Sequence, residues 1–504
     1  MVRKVHLEAL DGFNTIGGNK ILLSDNSTRV FLDFGLNFSN QKVYFSEFLQ
    51  PRTGSKLTDY LFLGLLPKFE INGIYRQDYL LHLGYQPENE PAIDGVILSH
   101  SHVDHGGCLA FLRHDIQLIC SKVAKILLET RDEIKSDENL QLKKKFHYRK
   151  SKRDASKFTK VIDESLKRHV KTENEVKIGN IAVSGYDIDH SIPGCRGYKI
   201  ETSAGNIIYT GDIRKHGYRA DDTERFLEAA SKSDPILLII EGTNADGKET
   251  LSEEEVFNQV TEEIKKTEKL VLANFPQWDL DRLLSFYRAA KENGRILLLS
   301  LDQAYLLKKL EEIVKQYPTI DDENLGIFMP RKVWGSLCDF VHIPDYKWVC
   351  LSKEPYFSEI NESERLIRSD YDKNEQEFLF RENSYDWKYI KEHQSEFIVF
   401  CNFFSLKNLL DFQPEKGSKF IWSVTEPFDE ESLLDFERVK NWIDLFKLPI
   451  VKAHASGHAM FNEILEMVEQ INPKAVLPVH TEKPKRFMDE IKNRKVILDR
   501  KIEL

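Results

Sequence analysis

The sequence has no apolar run long enough to cross a bilayer. Its longest runs are like Ile236-Leu237-Leu238-Ile239-Ile240, far short of the roughly 20 residues a spanning helix needs. That 30% of its 504 residues are charged argues against a membrane protein. No Cys-X-X-Cys pair occurs; the six cysteines stand apart at 108, 120, 195, 338, 350 and 401, so buried thiols in a reducing cytoplasm are expected. Excess positive charge is missing too. A net charge of −10 excludes a non-specific coat on nucleic acid, but leaves a local cationic groove or metal ions to handle phosphate. Met1-Val2-Arg3-Lys4-Val5-His6 is basic without an apolar segment after it, so no secretion signal is read there. Apolar residues at 41% and aromatics at 11% are ordinary for a globular chain, and the length predicts two or three domains.

What the sequence does hold is a dense cluster of ligands. Leu98-Ser99-His100-Ser101-His102-Val103-Asp104-His105-Gly106-Gly107 directly follows the apolar Gly95-Val96-Ile97. The apolar run predicts a buried strand, so three histidines and a carboxylate emerge on the loop at its C-terminal end. Alternate histidines of an irregular turn can face one point, and the Asp-His pair a second beside it. Imidazole with carboxylate suits zinc or a similar divalent ion. A histidine-rich surface loop is the plain alternative, and four such ligands behind a core strand speak against it.

Other predicted strands end in single ligands. Asp33, in Arg29-Val30-Phe31-Leu32-Asp33-Phe34-Gly35, either caps the turn at Gly35 or accepts the free N–H of a metal-bound histidine. His190 stands at a strand end before Ser191-Ile192-Pro193-Gly194 and, taken alone, reads as structural. Asn206-Ile207-Ile208-Tyr209-Thr210-Gly211-Asp212 ends in a carboxylate that either caps a turn or bridges two ions. Residues 37–93 form an aromatic-rich segment whose apolar content predicts packing; long insertions beside strand ends often wall a binding site. The basic run 143–153, with Phe146 and Tyr148 inside it, reads as a solvated face or as a nucleic-acid contact.

The second half alternates strands with helices. Pro235 to Glu241 predicts a buried strand ending in a carboxylate. Ser252 and Glu255 make a capping box for a helix with Val256, Val260 and Ile264 on its apolar face. Leu270 to Asn274, Leu280 to Asn293 and Arg295 to Ser300 read as strand, helix and strand. This alternation means an α/β unit, placed at 246–445, with 318–395 irregular. Then come Ala453-His454-Ala455-Ser456-Gly457-His458-Ala459, a helix bearing Met460, Phe461, Ile464, Leu465, Val468 and Ile471, and a strand from Lys474 to His480.

Asp33, the His100 to His105 cluster, His190 and Asp212 occur in the order and at the intervals of the metallo-β-lactamase fold, which the sequence resembles. Glu241, His458 and His480 resemble the three additional motifs of the β-CASP nucleases. His-Ala-Ser-Gly-His-Ala, with Arg282 and the Ala289-Ala290 helix before Gly294-Arg295, looks most like ribonuclease J and its archaeal relatives. The resemblance implies an α/β chain: a metallo-β-lactamase αββα sandwich over 1–245, with 37–93 as an insertion, completed by 446–504. An α/β β-CASP domain at 246–445 is inserted in it.

The resemblance also implies two zinc ions, with manganese or magnesium as substitutes. His100, His102 and His190 would hold one, Asp104, His105 and His480 the other, and Asp212 would bridge them. Glu241, His458, Asp104 and Asp33 would form the catalytic set. By the same resemblance the ions would supply an activated hydroxide for attack on the phosphate, and His458, oriented by Glu241, would protonate the leaving 3′ oxygen. His454, Ser456, Gly457 and His458 would hold a neighbouring phosphate, with plain packing the other reading of His454. The implied activity is hydrolysis of RNA to 5′-phosphate and 3′-hydroxyl ends, as a 5′-to-3′ exonuclease, an endonuclease or both, in RNA processing or decay. The implied setting is cytoplasmic, as a monomer or homodimer with no membrane contact.

Histidine at 480 resembles the RNA-acting members, since DNA-repair relatives carry valine there, and DNA is the competing substrate. A small-molecule hydrolase is opposed by the inserted domain with Glu241 and His458, and a decayed scaffold by ligand positions that are all filled. His480-Thr481-Glu482 replaces the group's usual His-Gly-Glu. The 37–93 segment is longer than expected, and the sequence ends at Leu504 where ribonuclease J continues into a further domain.

Overall fold

The computed structural model describes residues 5–504 apart from 47, 53–54, 83, 87, 136–145, 155–156, 163–167, 248, 333–339, 344–345, 351–368 and 426–429. Residues 1–249 with 457–504 form one compact unit and residues 250–456 a second.

The first unit is built on two seven-stranded sheets. One runs Lys501–Glu503, Val5–Asp11, Lys20–Asp25, Thr28–Leu32, Gly95–Ile97, Gln117–Ile119, Val170–Lys171. The other runs Lys495–Val496, Ala475–Val479, Leu237–Glu241, Gly205–Tyr209, Arg196–Thr202, Ile181–Asp187, Glu175–Ile178. Side chains alternate between the faces of a strand. Ile21, Leu23, Val30 and Leu32 therefore point one way and meet Ile181, Val183, Ile200, Ile207 and Ile239 of the other sheet. Leu22 and Phe31 point the other way, with Val96, Leu98 and Leu118. Each such side chain, fully buried, contributes roughly 1.5–3 kcal/mol.

The 37–93 segment is helical where it packs. Its helices Lys56–Leu63, Ile71–Ile74 and Gln77–His82 bring Leu57, Tyr60, Leu61, Ile74 and Leu80 onto the outer face of the first sheet, around Phe31 and Val96. On the second sheet, Phe226 of the helix Ala220–Ser231 lies so near Gly197 that a Cβ there would stand 2.5 Å from its ring. That helix also packs against Phe461–Ile471. The result is an αββα sandwich. The basic run at 143–153 lies partly outside the described residues; within it Phe146–Lys150 pairs antiparallel with Phe158–Ile162.

The second unit carries a seven-stranded sheet in the order Ser384–Asp386, Leu325–Met329, Ile296–Leu299, Phe397–Phe400, Val271–Asn274, Lys419–Trp422, Ile450–Lys452. Its strand pairs are parallel, and the expected capping box starts the helix Glu253–Lys265. Two expectations need correction. Within 318–395, Leu325–Met329 and Ser384–Asp386 are strands, short runs set in a charged stretch that hides them. Ile450–Lys452 pairs with Lys419–Trp422 in this sheet, so the chain returns to the first unit at Gly457 rather than at 446. Among the described residues, no helix is long and apolar enough to cross a membrane.

Candidate metal centre

The loop after Gly95–Ile97 is held by backbone on two sides. Asp104 O accepts from Gly18 N at 3.0 Å and Asn19 N at 3.1 Å, while Phe34 N donates to His105 O at 2.8 Å and Leu36 N to Val103 O at 2.9 Å. Gly35 lies so close that a Cβ on it would stand 1.6 Å from Asp104 O. Gly35→Ala is therefore expected to lower the unfolding free energy by about 1–3 kcal/mol through overpacking and to weaken zinc binding. Unchanged thermal unfolding and zinc affinity would show that the loop does not depend on this approach.

Held this way, the loop aims its ligands at donors from other strand ends. His100 Nε2 is 3.0 Å from His102 Nδ1, which is 3.1 Å from His190 Nε2. Asp212 Oδ2 lies 3.6 Å from His100 Nε2 and 3.8 Å from His190 Nε2. Beside this group, His105 Nε2 is 3.0 Å from Asp212 Oδ2, and His480 Nε2 is 3.1 Å from Asp104 Oδ2 and 3.9 Å from Asp212 Oδ1. Both sets, His100/His102/His190/Asp212 and Asp104/His105/His480/Asp212, have donor atoms within 4.8 Å of one another, and Asp212 belongs to both.

The arrangement fits divalent cations. Zinc bound at about 2.0–2.1 Å from each nitrogen places tetrahedral ligands roughly 3.4 Å apart, close to the spacings above. Asp212 Oδ1 is buried and makes no hydrogen bond, which leaves a lone pair for a cation. Burial, the largest influence, pushes His100 and His190 well below the usual imidazole range and His102 down to about 4. These rings are neutral, as ligation requires. Burial also acts against the Asp104 and Asp212 carboxylates, but His105 and His480 outweigh it and hold both low.

His105, His190 and His480 are oriented through their other nitrogen, the usual device at metal-binding histidines. His105 Nδ1 donates to Asp33 Oδ2 at 2.6 Å. Asp33 also accepts from Ser99 N at 2.6 Å, Ser99 Oγ at 2.8 Å and Tyr209 Oη at 2.5 Å. Asp33 is buried behind His105 and so is a positioning residue rather than a catalytic one. His190 Nδ1 donates to Gly457 O at 2.5 Å, and His480 Nδ1 faces Thr243 Oγ1 at 2.8 Å. Asp33 (φ +57°) and His480 (φ +52°) adopt left-handed backbone, a cost that surrounding packing must sustain.

His458 lies beside the second group, with 22% of its side chain exposed. Its Nδ1 is 3.0 Å from both Glu241 oxygens and 3.8 Å from Asp212 Oδ2. Burial works to lower its pKa, but the Glu241 and Asp212 carboxylates prevail and raise it to about 9. Glu241 is itself fixed by Ile213 N at 3.0 Å and Thr243 N at 3.2 Å. Asn244 Nδ2 donates to the carbonyls of His458 and Ala459 at 3.0 and 3.2 Å.

The expected phosphate contacts fare differently. Ser456 N already donates to Thr250 Oγ1 at 2.7 Å, and Gly457 serves the site through its carbonyl. His454 Nδ1 packs 3.3 Å from both Arg282 Nη1 and Ser423 O in the second unit. The orienting residues Ser99, Tyr209, Thr243 and Gly457 O had no periodic signal. Ser99 and Thr243 could have been suspected only as hydroxyls next to His100 and near Glu241.

Residues 72–242 match the metallo-beta-lactamase superfamily, and residues 447–497 match the Zn-dependent metallo-hydrolase RNA specificity domain. With the sheets and the site above, these matches give the chain a metallo-β-lactamase-type fold with an inserted α/β domain. Within that class it resembles ribonuclease J. It is 25% identical to ribonuclease J 2 of Streptococcus pyogenes over 339 residues, 64% of this chain and 50% of that protein. It is 23% identical to ribonuclease J of Corynebacterium glutamicum over 346 residues, 65% of this chain and 40% of that protein. The chain thus spans half or less of the length of these relatives. A crystal structure of a protein of unknown function from Enterococcus faecalis V583 shares the fold, with a TM-score of 0.68 at 20% identity, covering 99% of this chain and 100% of that one.

Proposed function

We propose that the chain is a zinc-dependent ribonuclease that hydrolyses phosphodiester bonds and leaves 5′-phosphate and 3′-hydroxyl ends. The observation that carries this reading is the pair of four-donor groups sharing Asp212, with His458 held against Glu241 beside them. His100, His102 and His190 would hold one ion, Asp104, His105 and His480 the other, and Asp212 both. When bound, such a pair supplies a water acidic enough to attack near neutral pH, together with positive charge for the phosphate's non-bridging oxygens.

The chain's own residues supply the rest. His458 is protonated at neutral pH because Glu241 and Asp212 stabilise its charge. Glu241 keeps the Nδ1 proton and fixes the ring, so Nε2 delivers its proton to the leaving 3′ oxygen as the P–O bond breaks. Asp33 holds His105 with Nε2 turned toward Asp212.

RNA as the substrate class is supported by the ribonuclease J relatives and by the match to an RNA specificity domain. The test offers 5′-labelled RNA and DNA carrying monophosphate or triphosphate ends. RNA is expected to be cut in preference. Mononucleotides from monophosphorylated RNA would mark 5′-to-3′ exonuclease action and internal fragments an endonuclease; a preference for DNA overturns the substrate assignment.

A further inference from the structure

Thr243 follows the strand Leu237–Glu241 by two positions, and its hydroxyl reaches two histidines from different parts of the first unit. Oγ1 is 2.8 Å from His480 Nδ1 and 3.1 Å from His458 Nδ1. Its backbone N–H donates to Glu241 Oε2 at 3.2 Å. One residue thus touches a ring of the second four-donor group, the candidate proton donor, and the carboxylate that orients that donor.

A hydroxyl has one proton and two lone pairs. His480 turns Nε2 toward Asp104 Oδ2 at 3.1 Å, so the lone pair offered to a cation is on Nε2 and the ring proton is on Nδ1. Thr243 Oγ1 is the acceptor for that proton. His458 Nδ1 points between the Glu241 oxygens and the same hydroxyl, so it too carries its proton on this side. Accepting from both rings fills both lone pairs. The hydroxyl proton is then left for His480 O, at 3.5 Å.

We propose that Thr243 is a positioning residue for both rings: it accepts the Nδ1 proton of His480, keeping His480 Nε2 free for the metal, and it holds the His458 ring with Nε2 aimed at the leaving oxygen. This deepens the ribonuclease reading and rests on it. It also gives the backbone step from Glu241 to Thr243 a purpose: it places a carboxylate under one ring and a hydroxyl between two.

The experiment compares Thr243→Val, which keeps the shape and removes the hydroxyl, with Thr243→Ser, which keeps the hydroxyl. Zinc affinity is measured on metal-free protein by competition with a chromogenic chelator, and kcat and KM on labelled RNA. Thr243→Val is expected to lose about 10–100-fold in affinity for one of the ions and to lose kcat with KM little changed. The metal-free variant should keep the wild-type circular dichroism spectrum, while the unpaired His480 N–H lowers its unfolding free energy. Thr243→Ser should restore both affinity and kcat. Wild-type zinc affinity and turnover in Thr243→Val would overturn the proposal and leave the ribonuclease reading standing. A serine variant as impaired as valine would also overturn it, since the methyl contact would then matter instead. Wild-type protein that binds no zinc overturns both.

Discussion

Stripping the metal with a chelator is expected to take RNA cleavage below detection, and adding zinc back to restore it. Water free of a cation ionises with a pKa near 16, against about 7 when zinc holds it; no side chain of this site replaces a difference of that size. Elemental analysis of protein purified without chelator should find about two zinc ions per chain; finding none would end the metal reading. Asp212→Asn is the sharper version of the same test. Asp212 is the one residue common to all three four-donor sets, the third being Asp212, Glu241, His458 and His480, and its Oδ1 makes no hydrogen bond that the amide could inherit. The asparagine variant should weaken both ions together, whereas His102→Ala should weaken chiefly the first. Equal zinc content in wild type and Asp212→Asn would remove the shared-ligand assignment.

His458→Ala is expected to keep its zinc and lose about 10²–10⁴-fold in kcat, the range for a missing proton donor. The geometry separates the two outcomes. His458 spends Nδ1 on Glu241 and stays partly open to solvent, whereas His100, His105, His190 and His480 are buried. A phosphodiester with a nitrophenolate leaving group needs no proton from the enzyme, so the alanine variant should cleave it at close to the wild-type rate. Unchanged turnover on RNA would remove the proton-donor role, and loss of zinc would move His458 into the metal set.

Much of this site could be read from the order of residues alone. His100, His102, Asp104 and His105 lie within one loop after a strand, and Asp33, His190, Asp212, Glu241 and His480 each end or follow an apolar run. A strand end is legible because burial demands an uninterrupted apolar stretch, and a ligand just past it is exposed to the rim of the sheet. The α/β character of the second unit was legible for the same reason, through alternating runs such as Val271–Asn274 and Leu280–Glu292. The strands Leu325–Met329 and Ser384–Asp386 were missed because they stand in a charged stretch without the regular strand–helix alternation that marks Val271–Asn274. The Ser456 N–H looked available for phosphate only because sequence does not reveal that Thr250 already accepts from it.

The sequence by itself determined which chemical groups this protein owns and the elements that carry the ligands, because apolar periodicity and ligand type are local properties; the αββα class came through the resemblance of its ligand pattern to the metallo-β-lactamase fold. Only the tertiary structure decided how each ring is turned. Thr243 and the Gly457 carbonyl orient ligand histidines directly, and Ser99 and Tyr209 hold the Asp33 that orients His105, across separations such as the 267 residues between His190 and Gly457. Hydrogen-bond direction at a buried site depends on which atoms meet after packing, and nothing in the spacing of residues along the chain encodes it.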